Sequence, residues 1–151
     1  MINVDLFIVN ELSEVLLSWR SDEYCGKGWH IPEKIIRYGE TMKTRLRLTA
    51  ERELGFVPDF EDAPCKITEI FLEQKYRNHL ISHLYKGNCR KADVTTVDEK
   101  KNHRIGDLCW FNHYRELVYS QAHIISIFRI ISGIKKMFRR GMYKSNGAAP
   151  Y

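Results

Sequence analysis

The apolar residues of this chain follow two different spacings. Val4-Asp5-Leu6-Phe7-Ile8-Val9 is an apolar run with one carboxylate inside it, and Glu14-Val15-Leu16-Leu17-Ser18-Trp19-Arg20 is a second. Asn10-Glu11-Leu12-Ser13 between them reads as a turn, so the pair predicts a β-hairpin. Ser21 to Gly28 is polar, carries Gly26 and Gly28, and predicts a loop. Trp29-His30-Ile31-Pro32 predicts a short strand stopped by its proline. From Glu40 to Gly55 the spacing changes to four: Met42, Leu46, Ala50 and Leu54 lie on one helical face. Thr41 suits the N-cap of that helix and Gly55 its C-terminal stop.

Phe56 to Pro64 holds two prolines and three acids and predicts a loop. Cys65 to Gln74 and Asn78 to Lys86 are strand candidates joined by Lys75-Tyr76-Arg77. Gly87 to Gly106 is a long polar segment of the kind that is usually functional or mobile. Asp107 to Phe111 predicts a short strand. Tyr114 to Arg140 predicts a helix with Ile124, Ile127, Phe128, Ile131, Ile134 and Phe138 on one stripe, which Gly133 can end or kink. Ser145 to Tyr151 reads as a frayed end. There is no internal repeat. The element order is that of a mixed α/β domain and not of an alternating Rossmann pattern.

Composition narrows the class. The 151 residues are 44% hydrophobic and 28% charged, which suits one globular core. No apolar run approaches the roughly 18 residues that a membrane span needs. Cys25, Cys65, Cys89 and Cys109 form no C-x-x-C pair, which excludes a zinc ribbon or a thioredoxin-type motif. The opening Met1-Ile2-Asn3-Val4-Asp5 has no secretory pattern, so reduced thiols in a cytoplasm are the reading. The net charge of +5 is uneven: Arg129, Lys135, Lys136, Arg139, Arg140 and Lys144 lie in a C-terminal stretch without acids, and the rest is close to neutral. Nucleic-acid binders spread charge over a face of the fold, which argues against that partner.

The stretch from Gly28-Trp29-His30-Ile31-Pro32-Glu33-Lys34 through Glu40, followed by a helix ending Ala50-Glu51-Arg52-Glu53-Leu54-Gly55-Phe56, resembles a Nudix box, G-x5-E-x7-R-E-U-x-E-E-x-G-U. Anchored on Gly55, Glu40 takes the first glutamate, Glu53 the last and Phe56 the final apolar place. Lys34 falls on the first glycine, Leu48 on the arginine, and Thr49 and Arg52 on two glutamates. The pattern is closer to one branch, the GDP-mannose mannosyl hydrolases, whose box also lacks the two central glutamates. The opening hairpin, with Asp5 in its first strand and Arg20 ending its second, is similar to that branch too. Further along, Asn102-His103 followed by Trp110-Phe111 stands where the branch has a glutamine-histidine pair before a strand.

The resemblance implies an α/β (α+β) Nudix-type α/β/α sandwich with a mixed sheet, one domain over residues 1–140, a flexible tail over 141–151, and a possible homodimer. It implies hydrolysis of a GDP-sugar to GDP and free sugar, with water attacking the anomeric carbon and Mg²⁺ (or Mn²⁺) stabilising the leaving diphosphate. Implied metal ligands are Glu53, Asn102, the Lys34 backbone carbonyl and, secondarily, Glu40. Arg20 and Arg37 are the implied phosphate-binding and catalytic cations, Asp5 a substrate-binding acid, and His103 the general base. Each has a plainer alternative: Glu53 and Arg20 as solvated residues at element ends, Asp5 on an edge strand, His103 in a basic turn. The largest departure is Glu33-Lys34, which replaces a glycine pair; Lys34 then either helps bind phosphate or displaces Mg²⁺. Two other functions stay open: a Nudix hydrolase cutting another nucleoside diphosphate derivative at phosphorus, and a Nudix-fold domain that binds nucleotide without turnover.

Overall fold

The computed structural model describes residues 1–22, 26–71 and 79–112. In chain order these form β1 (Ile2–Val9), β2 (Val15–Asp22), β3 (Gly26–His30), β4 (Glu33–Ile35), α1 (Met42–Leu54), β5 (Asp59–Phe60), β6 (Lys66–Phe71), β7 (His79–Asn88) and β8 (Leu108–Phe111). The strands make one mixed sheet of eight, as the α/β reading predicts. β1 lies at its centre, parallel to β7 from Ile2↔Ile81 to Val9↔Asn88 and antiparallel to β4 at Asn3↔Ile35, Val4↔Lys34 and Asp5↔Glu33.

Both faces of β1 are buried, which is why its sequence is apolar almost throughout. Val4, Leu6 and Ile8 face α1 and pack with Leu16, Leu46, Ala50, Leu54 and Tyr85. Phe7 points the other way and packs with Leu17, Trp29, Leu84, Cys109 and Phe111. Each large aliphatic in these clusters contributes roughly 1.5–3 kcal/mol by leaving water.

The hairpin holds only at its closed end, where Val9 pairs with Val15. Beyond it β2 turns to pair with β3 and β8, and β1 with β4 and β7. The predicted loop from Ser21 to Gly28 is shorter than expected: β2 and β3 continue to Asp22↔Gly26, and both glycines belong to a strand. Glu33–Ile35, past the proline expected to stop the strand, is a strand of its own because β1 offers it an edge. The segment from Phe56 to Pro64 contains β5, which pairs Phe60 with Gly87. A Cβ on Gly87 would lie 2.8 Å from the Phe60 ring and 2.9 Å from Ile8, so β7 needs glycine there. The long polar segment is tied down rather than free, by Val97 N–H to Leu108 O (2.8 Å) and Gly106 N–H to Trp19 O (3.0 Å).

Helix α1 begins and ends where its sequence predicts. Thr41 Oγ1 accepts from the Thr44 N–H at 3.1 Å. Gly55 sits at φ 79°, and its N–H reaches Glu51 O at 3.2 Å. The expected helix Tyr114–Arg140, the C-terminal tail and a homodimer built on that helix lie outside the described residues. Among the described residues no helix is long and apolar enough to cross a membrane.

Candidate functional site

Adjacent residues of a strand send their side chains to opposite sides, and on β4 this separates Glu33 from Lys34. Lys34 stands opposite Val4, on the α1 side, and its Nζ lies 2.5 Å from Glu53 Oε1. Glu33 stands opposite Asp5 and is held by Arg20 Nη1 at 2.9 Å and by Asn3 Nδ2 at 2.6 Å. Two residues that replace a glycine pair therefore each engage an implied site residue.

Asp5 is not on an edge strand. It is fully buried in β1, with the Asn3 amide 2.7 Å from one oxygen and the Ser82 hydroxyl bonded to the other. Burial, and after it the nearby Glu33 charge, hold its carboxyl well above the usual range. Asp5, Asn3, Glu33 and Arg20 form one continuous polar chain under the cleft.

Glu40 is engaged by structure. Arg45, itself buried, grips it through Nε at 2.7 Å and through Nη2, and the Arg37 N–H donates to it at 2.9 Å. The Arg45 bonds, then the Arg37 N–H, hold the Glu40 carboxyl below its ordinary value. The clamp fixes the loop over residues 36–40 against the first turn of α1.

The described surface between β4, the end of β2 and the C-terminal half of α1 forms two adjoining clefts of about 430 and 360 Å³. The larger is lined by Arg20, Lys34, Arg37, Arg45 and Arg52, with Glu33 as its one acid. The smaller shares Arg20, Lys34 and Arg52 and adds Glu53, Trp19 and Gly106. The fold thus brings Arg20, Arg37, Lys34 and Glu53 together. Arg52 was not foreseen as a site residue, although the seven-residue step from Arg45 places both on one helical stripe. Asn3 and Ser82, which anchor Asp5, carried no sequence signal.

His103 is placed elsewhere. Its ring lies 4.6 Å from both Trp19 and Trp29, centroid to centroid, and its Nε2 is 2.8 Å from Glu99 O. Trp29 belongs to the cluster on the side of the sheet away from α1, and Trp19 also lines the smaller cleft; His103 itself is among the lining residues of neither. Asn102 is exposed in the same loop.

The donor set does not suit Mg²⁺. Glu53 is paired with Lys34 and Glu40 with Arg45. Thr49, where a fuller box has a carboxylate, is buried with its hydroxyl donating to Arg45 O at 2.7 Å. The Lys34 carbonyl is committed to the sheet: Leu6 N–H to Pro32 O and Ile36 N–H to Ile2 O flank the Val4↔Lys34 pair. Antiparallel alternation then makes that pair a hydrogen-bonded one. Among the described residues no three His, Cys, Asp or Glu side chains converge as metal ligands do.

No protein-family model matches this sequence, and no curated protein sequence matches it. Solved structures do match the fold. The NUDIX domain of Shewanella oneidensis NrtR complexed with ADP ribose aligns at 15% identity and a TM-score of 0.55, over 74% of this chain and 71% of that one. The MutT NUDIX hydrolase from Burkholderia pseudomallei aligns at 16% and 0.59, over 79% and 90%. A C. elegans Ap4A hydrolase binary complex aligns at 18% and 0.56, over 89% and 98%. The chain has the Nudix fold. Hydrolases of this fold generally use divalent metals such as Mg²⁺, which the donor set above does not match.

Proposed function

We propose that this chain binds a nucleoside diphosphate derivative, a GDP-sugar by the resemblance of its box, in the cleft between β4, β2 and α1, and that hydrolysis to GDP and free sugar is the reaction to test. The observation that carries this is the charge of the cleft: five cationic residues and one acid line its larger part. A diphosphate needs converging cations, and guanidinium forks fit its oxygens. Arg20, Arg37 and Arg52 are the cations assigned to it. Arg45 is spent on Glu40 and serves to shape the loop. As diphosphate leaves a sugar carbon, these same cations would stabilise the charge that develops on it.

A second reading, binding without turnover, is favoured by two ion pairs. Water attack needs a base, and the acids lining the clefts, Glu33 and Glu53, are each paired with a cation. A proton NMR time course with GDP-mannose, alongside calorimetric titration of GDP, ADP-ribose and Ap4A, separates the readings. Free-sugar anomeric signals establish hydrolysis at carbon. Nucleoside monophosphate with sugar phosphate establishes cleavage at phosphorus. Saturable heat without turnover establishes a binding domain. Absence of heat for all three nucleotides removes the proposal.

A further inference from the structure

We infer that Lys34 and Arg52 take over the electrostatic role of the divalent cation, so that this cleft recognises a diphosphate without metal. The inference rests on the nucleotide reading above and concerns how the charge is supplied.

Three observations carry it. First, the Lys34 ammonium is 2.5 Å from Glu53 Oε1, and Glu53 is only 16% exposed. A cation already sits on the carboxylate that would otherwise collect one. The ammonium is held there by the register of β4, whose Val4↔Lys34 pairing aims residue 34 at α1. Second, Arg52 stands where the box has a glutamate, one residue before Glu53, and its side chain lines both clefts alongside Lys34. The box pattern uses acids to gather a doubly charged ion. This sequence has two fixed positive charges, the same total, on the protein itself. Third, the remaining carboxylates are occupied, Glu40 by Arg45 and Glu33 by Arg20 and Asn3, and Thr49 is fully buried with its hydroxyl turned to Arg45 O. A hard cation asks for several unshared oxygens, and binding one here would require breaking the Lys34–Glu53 pair.

Fixed cations differ from a bound ion in a testable way. They need no loading, and chelators do not remove them. Removing the Lys34 charge should do two things at once: weaken the diphosphate and release Glu53 for metal. The test titrates GDP into the full chain by calorimetry in EDTA and in excess Mg²⁺, and titrates Mn²⁺ by electron paramagnetic resonance. Parent, Lys34→Met and Lys34→Arg are compared, with folding checked by circular dichroism. The parent should bind GDP equally, within twofold, with EDTA and with Mg²⁺. Lys34→Met should bind GDP about tenfold more weakly in EDTA, as expected for one lost charge-assisted contact, and should recover part of the loss with Mg²⁺. It should also bind Mn²⁺ at least tenfold more tightly than the parent does. Lys34→Arg should behave as the parent.

A parent whose GDP affinity rises tenfold or more with Mg²⁺, or collapses in EDTA, overturns the inference. So does a parent that binds Mn²⁺ as tightly as Lys34→Met. Absence of GDP binding under every condition overturns the nucleotide reading instead; the Mn²⁺ comparison then still decides whether Lys34 occupies the metal-binding carboxylate.

Discussion

Helix α1 has a box glutamate near each end, and the two are held differently. Glu40, just before the N-cap, is gripped by Arg45 five residues away and by the Arg37 N–H three residues away. That clamp is local and ties down a loop. Glu53, in the last turn, is held by Lys34, nineteen residues away on another element. The first pair fixes the backbone; the second fills a cleft with charge. The same residue type at the two ends of one helix therefore does structural work at one and sets the chemistry of a pocket at the other. The deciding factor is which neighbour the fold brings up.

Substitutions can break or sharpen this contrast. The largest effect belongs to the N-terminal end. Arg45→Met should lower the thermal midpoint by roughly 8 °C, because it strips a buried cation from the loop clamp. A loss as small as that of a surface variant would show that the clamp does not hold the loop. At the other end, Arg52→Ala should cut GDP affinity about tenfold, as one charged contact is worth, and should leave the midpoint nearly unchanged. If calorimetry shows equal affinity, Arg52 is a bystander of the cleft.

Asp5 provides a third case, an acid buried without a cation on its oxygens among the bonds described. The folded state holds its proton more tightly than the unfolded chain, where the carboxyl titrates near 3.8. Stability should therefore fall as pH rises from that value through the raised folded one, and level off above it. Asp5→Asn keeps an acceptor for Ser82, should remove this slope, and should raise stability at pH 8 by about 1 kcal/mol. A parent more stable at pH 8 than at pH 5 on this account, with the slope unchanged in the variant, would refute it.

Two smaller effects complete the contrast. Thr41→Ala removes the N-cap acceptor and should cost about 1 kcal/mol in chemical denaturation. Glu53→Gln breaks a partly exposed ion pair and should change stability by less than about 1 kcal/mol. A larger loss for Glu53→Gln than for Thr41→Ala would reverse the assignment of structural and chemical ends.

Much of the fold was legible residue by residue. The four-residue spacing, Thr41 and Gly55 bounded α1 because capping and helical periodicity are local properties. The apolar run of β1 marked a strand, while the burial of both its faces came only with the parallel pairing to β7. β4 was not legible: Glu33-Lys34-Ile35 has no strand pattern and pairs only because β1 offers an edge. β5 is the same case, two residues recruited by Gly87. Among the residues that line the clefts, the box points to Arg37 and Glu53, and the likeness of the opening hairpin points to Arg20. His103 is implied by its place before Trp110, and its ring packs against Trp19 and Trp29 without lining either cleft.

By itself the sequence determined the helix with its caps, the central strands and the replacement of a glycine pair by Glu33 and Lys34. It left open whether Lys34 would help hold a phosphate or displace a metal. Only the tertiary structure decided that Lys34 faces Glu53 while Glu33 faces Asn3 and Arg20. The reason is that a strand's side-chain direction follows from its register with a neighbour, and the register of β4 on β1 is not encoded in the three residues of β4 alone.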